Sequence, residues 1–261
     1  TADEILPLGD DFLAYAFSKL DANMKWWERE RYDGTLFSYK VHPYESGMDD
    51  SPRFDKPFVI DNLWAVDANG FMVSAYTCMA YMAKKIGQSA EEREYKHKAE
   101  RLGEAVNRLL FSDELGAYCD FDTKSKRFTG HLSPMSFIPL FAGCADTGKA
   151  RRMAEIAENP EYFYDGMPTI AYNNKSFDHK LFWRGPCWLN TAYFAVNGLA
   201  DYGFHSLALD YCRRILSWIE KDGYWEYYDT KKNCGIGQKD FGWSSVFGVL
   251  FVRLYGELGG E

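Results

Sequence analysis

His42-Pro43-Tyr44-Glu45-Ser46-Gly47-Met48-Asp49-Asp50-Ser51-Pro52-Arg53 packs three carboxylates, a histidine and an arginine into twelve residues. This stretch is neither regular helix nor strand. Pro43 and Pro52 interrupt a helical register, and Gly47 opens backbone angles closed to other residues. It reads as a loop dense in charge with aromatic residues on both sides. A solvated surface turn is the ordinary reading of an Asp-Asp pair. Further polar-aromatic segments downstream argue for a cleft instead.

Those segments are FWRGPCW at 182–188, GYWEYYD at 223–229 and GIGQKDFGW at 235–243. Each falls at a break between helix-periodic stretches, and each sets charge beside Trp, Tyr or Phe. This mixture suits a polar ring with apolar faces. Aromatic plates cover the hydrophobic faces of a sugar while carboxylates and Arg hydrogen-bond its hydroxyls. A carbohydrate is the ligand class this chemistry points to.

The 261 residues show no composition shift or Pro/Ser/Gly linker, so residues 1–261 read as a single domain. Aromatic residues make up 17%, more than a core alone asks for. A net charge of −8 argues against nucleic acid as partner, because phosphate neutralisation needs a basic surface. No apolar run is long enough for a membrane span. The start at residues 1–4 has no secretory pattern and no Met, the mark of a processed or incomplete chain. Six cysteines without a CxxC pair and five scattered histidines without HExxH spacing give no metal site. The acidic residues have no calcium-loop spacing. Thiols at apolar helical positions, such as Cys78 and Cys212, favour a reducing, cytoplasmic setting, with the periplasm as the alternative.

Apolar residues recur at helical spacing along most of the chain. Phe12, Tyr15, Ala16, Leu20, Met24 and Trp27 line one side of a helix over 10–31. A second helix is predicted from a cap at Asp61 or Asn62 to Ile86, with Gly87 as its left-handed stop, and a third from Ala90 to Phe111. Shorter helices follow at 133–142 and 147–158. Pro186 is predicted to open another that ends near Gly203, followed by helices over 205–221 and 241–257. Stretches near 118–122 and 224–228 suit short strands. About eight helices joined alternately by short turns and long motif-bearing loops suit stacked helical hairpins with a cleft at one end. A plain helical bundle is the competing architecture.

At the four motifs the chain resembles glycoside hydrolase family 63, particularly its mannosylglycerate and glucosylglycerate hydrolase branch, and is more distantly similar to trehalases. The resemblance runs through nearly the whole chain in one motif order. It implies an all-α (α/α)6 toroid and an inverting α-glycosidase acting on a small α-glucoside or α-mannoside, with water as nucleophile and no cofactor. It further implies Asp49 as general acid and Glu226 as general base. The acid must hold a proton for the departing oxygen. The base must be ionised to activate water on the opposite face of the ring, which sets the two roughly 6.5–9.5 Å apart. Set against the family's twelve helices, about eight imply missing N-terminal helices. The apolar faces so exposed would cost about 25 cal/mol per Å² and favour an oligomer or an N-terminal segment as partner.

Among the other residues, Tyr44, Trp188 and Tyr228 are candidate sugar platforms, with core packing as the plain alternative. Trp183, Gly47 and Trp243 complete the candidate set, Trp243 divided evenly between cleft and core. Glu45 is expected to bind sugar hydroxyls or fix the loop. Arg184 is preferred as a substrate contact over a brace between loops. Asp50 competes with Asp49 for the acid role but is expected to pair with Arg53. Asp67 and Asn69 carry no assignment, and the 91–104 charge run reads as a solvated helix face. A trehalase-like hydrolase is the runner-up within the same class, and two other functions stand beside hydrolysis. One is a sugar epimerase using two of His42, His131 and His179. The other is a sugar-binding protein without catalysis.

Overall fold

The computed structural model describes residues 8–258 and is mostly helical. Residues 1–4, read above for a leader, lie outside the described residues. Helix α1 (Asp10–Arg31) carries Asp10 and Asp11 in its first turn and Arg29 and Arg31 in its last, which complements the helix dipole. Its buried stripe is Leu13, Phe17 and Met24. The expected face is split: Met24 is buried and Trp27 packs against the core, whereas Phe12 and Tyr15 are more than half exposed. This helix has apolar residues on two sides, so its periodicity does not choose between them.

Helices α2 (Val66–Lys85) and α3 (Ser89–Leu109) form a tight hairpin around Gly87, at φ +76° as its position predicts. The α3 charge run faces solvent, and Tyr95, Leu102 and Val106 face the core. Helices α4 (Ile138–Phe141) and α5 (Thr147–Glu158) are short, and the Asp146 carboxylate caps α5 by accepting from the Lys149 amide. Helices α6 (Leu189–Asp201), α7 (His205–Asp222) and α8 (Val246–Leu258) pack on one another, and α6 also packs on α4. One hydrophobic cluster runs through these elements from Phe17 to Leu254. The last helix leaves Val249, Val252 and Tyr255 exposed.

Among the described residues, seven short strands sit in the connections. β1 (Leu63–Trp64), β4 (Phe121–Asp122) and β5 (Arg127–Phe128) make one antiparallel sheet. β2 (Phe111–Ser112) pairs β3 (Ala117–Tyr118), and β6 (Trp225–Asp229) pairs β7 (Cys234–Lys239). Several helix starts differ from expectation, the helices expected from 133 and 241 opening with 3-10 turns at Pro134–Phe137 and Gly242–Ser245. Ile60–Asn62 is a 3-10 turn, and α2 begins only at Val66, whose amide is capped by the distant Asp120 carboxylate at 2.9 Å. Pro186 stays outside α6 because Cys187 is held extended, its backbone bonded both ways to Tyr228 at 2.8 and 2.9 Å.

The loop at 42–53 ends in a buried charge centre. Arg53 donates to both Asp67 oxygens at 2.8 Å and to Asp120 at 2.7 and 2.9 Å, with all three side chains no more than 1% exposed. The expected Asp50–Arg53 pair does not form. Burial works against the Arg53 charge, but the two carboxylates override it and drive the guanidinium well above its ordinary value. Two carboxylates against one guanidinium leave an excess negative charge. The α2 N-terminus offsets it through the Val66 amide on Asp120 and the Ala68 amide on Asp67. Asn69 clamps the Phe37 backbone, accepting from its amide and donating to its carbonyl, both at 2.8 Å.

Candidate active site

The first motif folds as a 3-10 turn, Pro43–Ser46, closed by Gly47 at φ +71°. Glu45 is engaged through both oxygens, by Arg31 Nε at 2.8 Å and the Val41 amide at 2.8 Å. Burial alone would raise its carboxyl, but the Arg31 guanidinium and the Val41 amide outweigh that and hold it below its ordinary value. Glu45 therefore fixes the loop. Tyr44 is 65% exposed and packs against His42.

Asp50 and Asp49 have different surroundings. Asp50 accepts from the Trp183 amide at 3.0 Å and lies 3.8 Å from Arg184 Nε. Asp49 is half-buried and has no hydrogen-bond partner among the described residues. Arg184 spends its fork on Asp55, at 2.6 and 2.7 Å, and the Arg184 bonds hold the Asp55 carboxyl below its usual range against partial burial. Arg184, expected as a substrate contact, also braces two loops through these bonds.

The third motif lies on β6. Glu226 is half-buried, and its Oε2 accepts from the Gln238 amide at 3.1 Å. Gly237, at φ +81°, is required here. A Cβ at this position would stand 2.5 Å from Glu226 Oε2 and 2.7 Å from Tyr227 Cε1. At the end of the strand Asp229 accepts from His179 Nδ1 at 2.7 Å and from the Lys231 and Lys232 amides. Burial pushes the Asp229 carboxyl up, but these bonds win and hold it low.

Cross-links draw the motifs into one place. Asp50 ties the first to the second through the Trp183 amide. The Cys187–Tyr228 bridge and the His179–Asp229 bond tie the second to the third. The β6–β7 hairpin carries the fourth.

The aromatic residues divide differently from the expectation. Tyr228 is fully buried, with its hydroxyl donated to the Gly223 carbonyl at 2.7 Å, and is no platform. Trp183 and Trp188 stack at 3.8 Å and are each 2% exposed, so they form a floor rather than open faces. Tyr227, absent from the sequence candidates, stacks on Trp188 at 4.8 Å and is half-buried. Trp243 is 42% exposed beside the same Trp188 ring. The three histidines considered for epimerase chemistry do not bond one another. His42 packs on Tyr44, His131 bonds Asn174, and His179 bonds Asp229.

A cavity of about 560 Å³ opens beside the Asp55–Arg184 pair, lined in part by Lys56, Phe58, His131, Asn174, Lys175 and Ser176. No group of three metal-ligating side chains occurs among the described residues, and no described helix is long and apolar enough to cross a membrane.

Helical hairpins whose connecting loops gather carboxylates over an aromatic floor define a helical glycoside-hydrolase architecture. The chain belongs to the family described as the mannosylglycerate hydrolase MGH1-like glycoside hydrolase domain, whose model matches residues 2–244. It is 27% identical over 234 residues to a mannosylglycerate hydrolase of Rubrobacter radiotolerans, covering 88% of this chain and 52% of that protein. A mannosylglycerate hydrolase of Thermus thermophilus is 26% identical over 292 residues, covering 92% of this chain and 70% of the relative. The crystal structure of a family 63 mannosylglycerate hydrolase from a second strain of Thermus thermophilus, in complex with glucose, superposes with a TM-score of 0.82 at 27% identity, covering 94% of this chain and 70% of that one. A periplasmic trehalase of Escherichia coli is 27% identical over 194 residues, covering 72% of this chain and 33% of the trehalase. The chain thus spans about half the length of the Rubrobacter relative.

Proposed function

We propose that this chain carries the catalytic centre of an inverting α-glycosidase on the (α/α)6 scaffold that its resemblance implies. Asp49 is the general acid and Glu226 the general base. One observation carries the reading: on loops clamped together at their bases, these two carboxylates have no cationic partner among the described residues, whereas Glu45, Asp55 and Asp67 do. A carboxylate left free in a half-buried cleft is available to substrate. The Gln238 amide orients Glu226 and leaves its second oxygen for a water. Asp49 protonates the leaving oxygen as that water attacks the opposite face, and the anomeric configuration inverts.

The substrate is a small α-glucoside or α-mannoside with an anionic aglycone of the glycerate type. Lys56 and Lys175 support this, since they line the cavity at Asp55 and have no ion-pair partner among the described residues. Hydrolysis draws on water alone, in a reducing cytoplasmic setting where the six free cysteines stay thiols. The trehalase likeness favours a second substrate within the same chemistry, an uncharged α-linked disaccharide.

The deciding experiment is a panel of α-glucosides and α-mannosides, including trehalose and glycerate conjugates, with NMR of the first-formed anomer. Release of the β-anomer is expected. Release of the α-anomer alone would overturn inversion, since trehalose yields one α-glucose from its leaving half under either mechanism. Sugar binding without turnover of any panel member would leave a binding protein.

A further inference from the structure

Tyr227 is the side chain that the motifs did not single out and the fold places beside Glu226. Strict alternation along β6 would turn it to the face opposite Glu226. The register shift between Trp225 and Tyr227 puts the extra residue on β7, so that Gly237 and Gln238 both stand opposite Glu226. Its result is visible at Gly237, where an added Cβ would meet Glu226 Oε2 and Tyr227 Cε1 alike. The two side chains converge over one glycine.

Packing fixes the ring. Tyr227 lies within 18° of parallel to Trp188 and edge-on to Phe182 at 5.8 Å. Its hydroxyl, by contrast, has no hydrogen-bond partner among the described residues, whereas the neighbouring Tyr228 hydroxyl is bonded twice. Burial pushes the Tyr227 phenol up, and the Glu226 and Asp50 carboxylates push it further. It is therefore a protonated donor across the range where a glycosidase works.

We propose that Tyr227 contacts the substrate directly: its ring covers one face of the bound sugar beside Glu226, and its hydroxyl donates a hydrogen bond to a sugar hydroxyl. The assignment rests on the glycosidase reading above. It completes an aromatic series in which buried Trp183 and Trp188 support a ring that a ligand can reach beside Glu226.

The test compares Tyr227→Phe and Tyr227→Ala with the parent in kcat/KM on the best panel glycoside, in affinity for D-glucose and D-mannose, and in melting temperature. Because the hydroxyl bonds nothing among the described residues, Tyr227→Phe leaves the melting temperature unchanged, and a purely structural ring would leave the sugar affinity unchanged too. The expected result is a loss of about tenfold in kcat/KM and in monosaccharide affinity for the Phe variant. The Ala variant loses more, through the missing face. A Phe variant within about twofold of a parent that binds or cleaves sugar overturns the Tyr227 assignment alone. A parent that neither binds a monosaccharide nor cleaves any panel member overturns the glycosidase reading, and this assignment falls with it.

Discussion

Arg53 and Asp49 lie four residues apart in one loop, and the fold treats their charges in opposite ways. Arg53 is 1% exposed and saturated by Asp67 and Asp120, so its charge is spent on holding the loop to α2 and to the segment before β4. Asp49 is half-buried and bonded to nothing among the described residues. The same division recurs on β6, where Asp229 is enclosed by His179 and two amides while Glu226 is touched by one amide. Satisfied charge builds the scaffold, and unsatisfied charge is kept for the ligand. A site of this kind needs both, since a free carboxylate is useful only where its neighbours cannot move.

The largest effect should come from breaking the satisfied half. Arg53→Met leaves two buried carboxylates facing each other at the start of α2, and an unpaired buried charge costs about 3–5 kcal/mol. Urea unfolding should show that loss, and activity should fall only in proportion to the folded fraction. A stable, fully active Arg53→Met protein would show that the buried centre holds nothing in place.

Changes to the free half should do the reverse. Asp49→Asn and Glu226→Gln are isosteric, and neither removes an ion pair, so melting temperatures should stay near the parent's. Turnover should drop by about a hundredfold to ten-thousandfold, while monosaccharide affinity is kept. Asp50→Asn sharpens the contrast, because it keeps an acceptor for the Trp183 amide and should cost far less turnover than Asp49→Asn. Equal losses from the two would make the unbonded carboxylate a poor guide to the acid.

Gly237→Ala lies between the two kinds. A methyl here is strained at positive φ by about 1–2 kcal/mol. It must also push Glu226 Oε2 or the Tyr227 ring aside, since the contacts are 2.5 and 2.7 Å. A displacement of that order should cost roughly ten- to hundredfold in kcat. The stability loss should be modest and the kinetic loss large, measured on the same preparation.

Much of the helical frame is legible in the sequence, because the 3.6-residue period and the glycine and proline stops are local signals. The α3 charge run and the stop at Gly87 are read directly. What escapes is decided at long range. Asp120 lies 67 residues from the guanidinium it holds and caps α2 from 54 residues beyond Val66, so neither role leaves a local mark. Pro186 looks like a helix opener until the Cys187–Tyr228 bridge pulls its neighbour into extended backbone. In the site, the four motifs are legible as a polar-aromatic set, but which aromatic faces the ligand is not. Tyr227 and Tyr228 are identical letters, and the pleat of β6 turns one toward the site and the other into the core.

The smallest predicted effect tests the satisfied half through pH. The Glu45 carboxyl sits below its ordinary value of 4.5, with burial raising it and the Arg31 bond and Val41 amide lowering it further. A carboxyl depressed by folding contributes stability that is complete above the unfolded value and is lost as pH falls through the folded value. Glu45→Gln has no such titration. The stability gap between parent and variant should therefore be constant from neutral pH down to the ordinary glutamate range and close below it. After solvent screening it should be under about 1 kcal/mol. A gap that instead widened toward acid would mean that the Glu45–Arg31 contact opposes the loop, and the left-handed turn at Gly47 would then have to hold the first motif unaided.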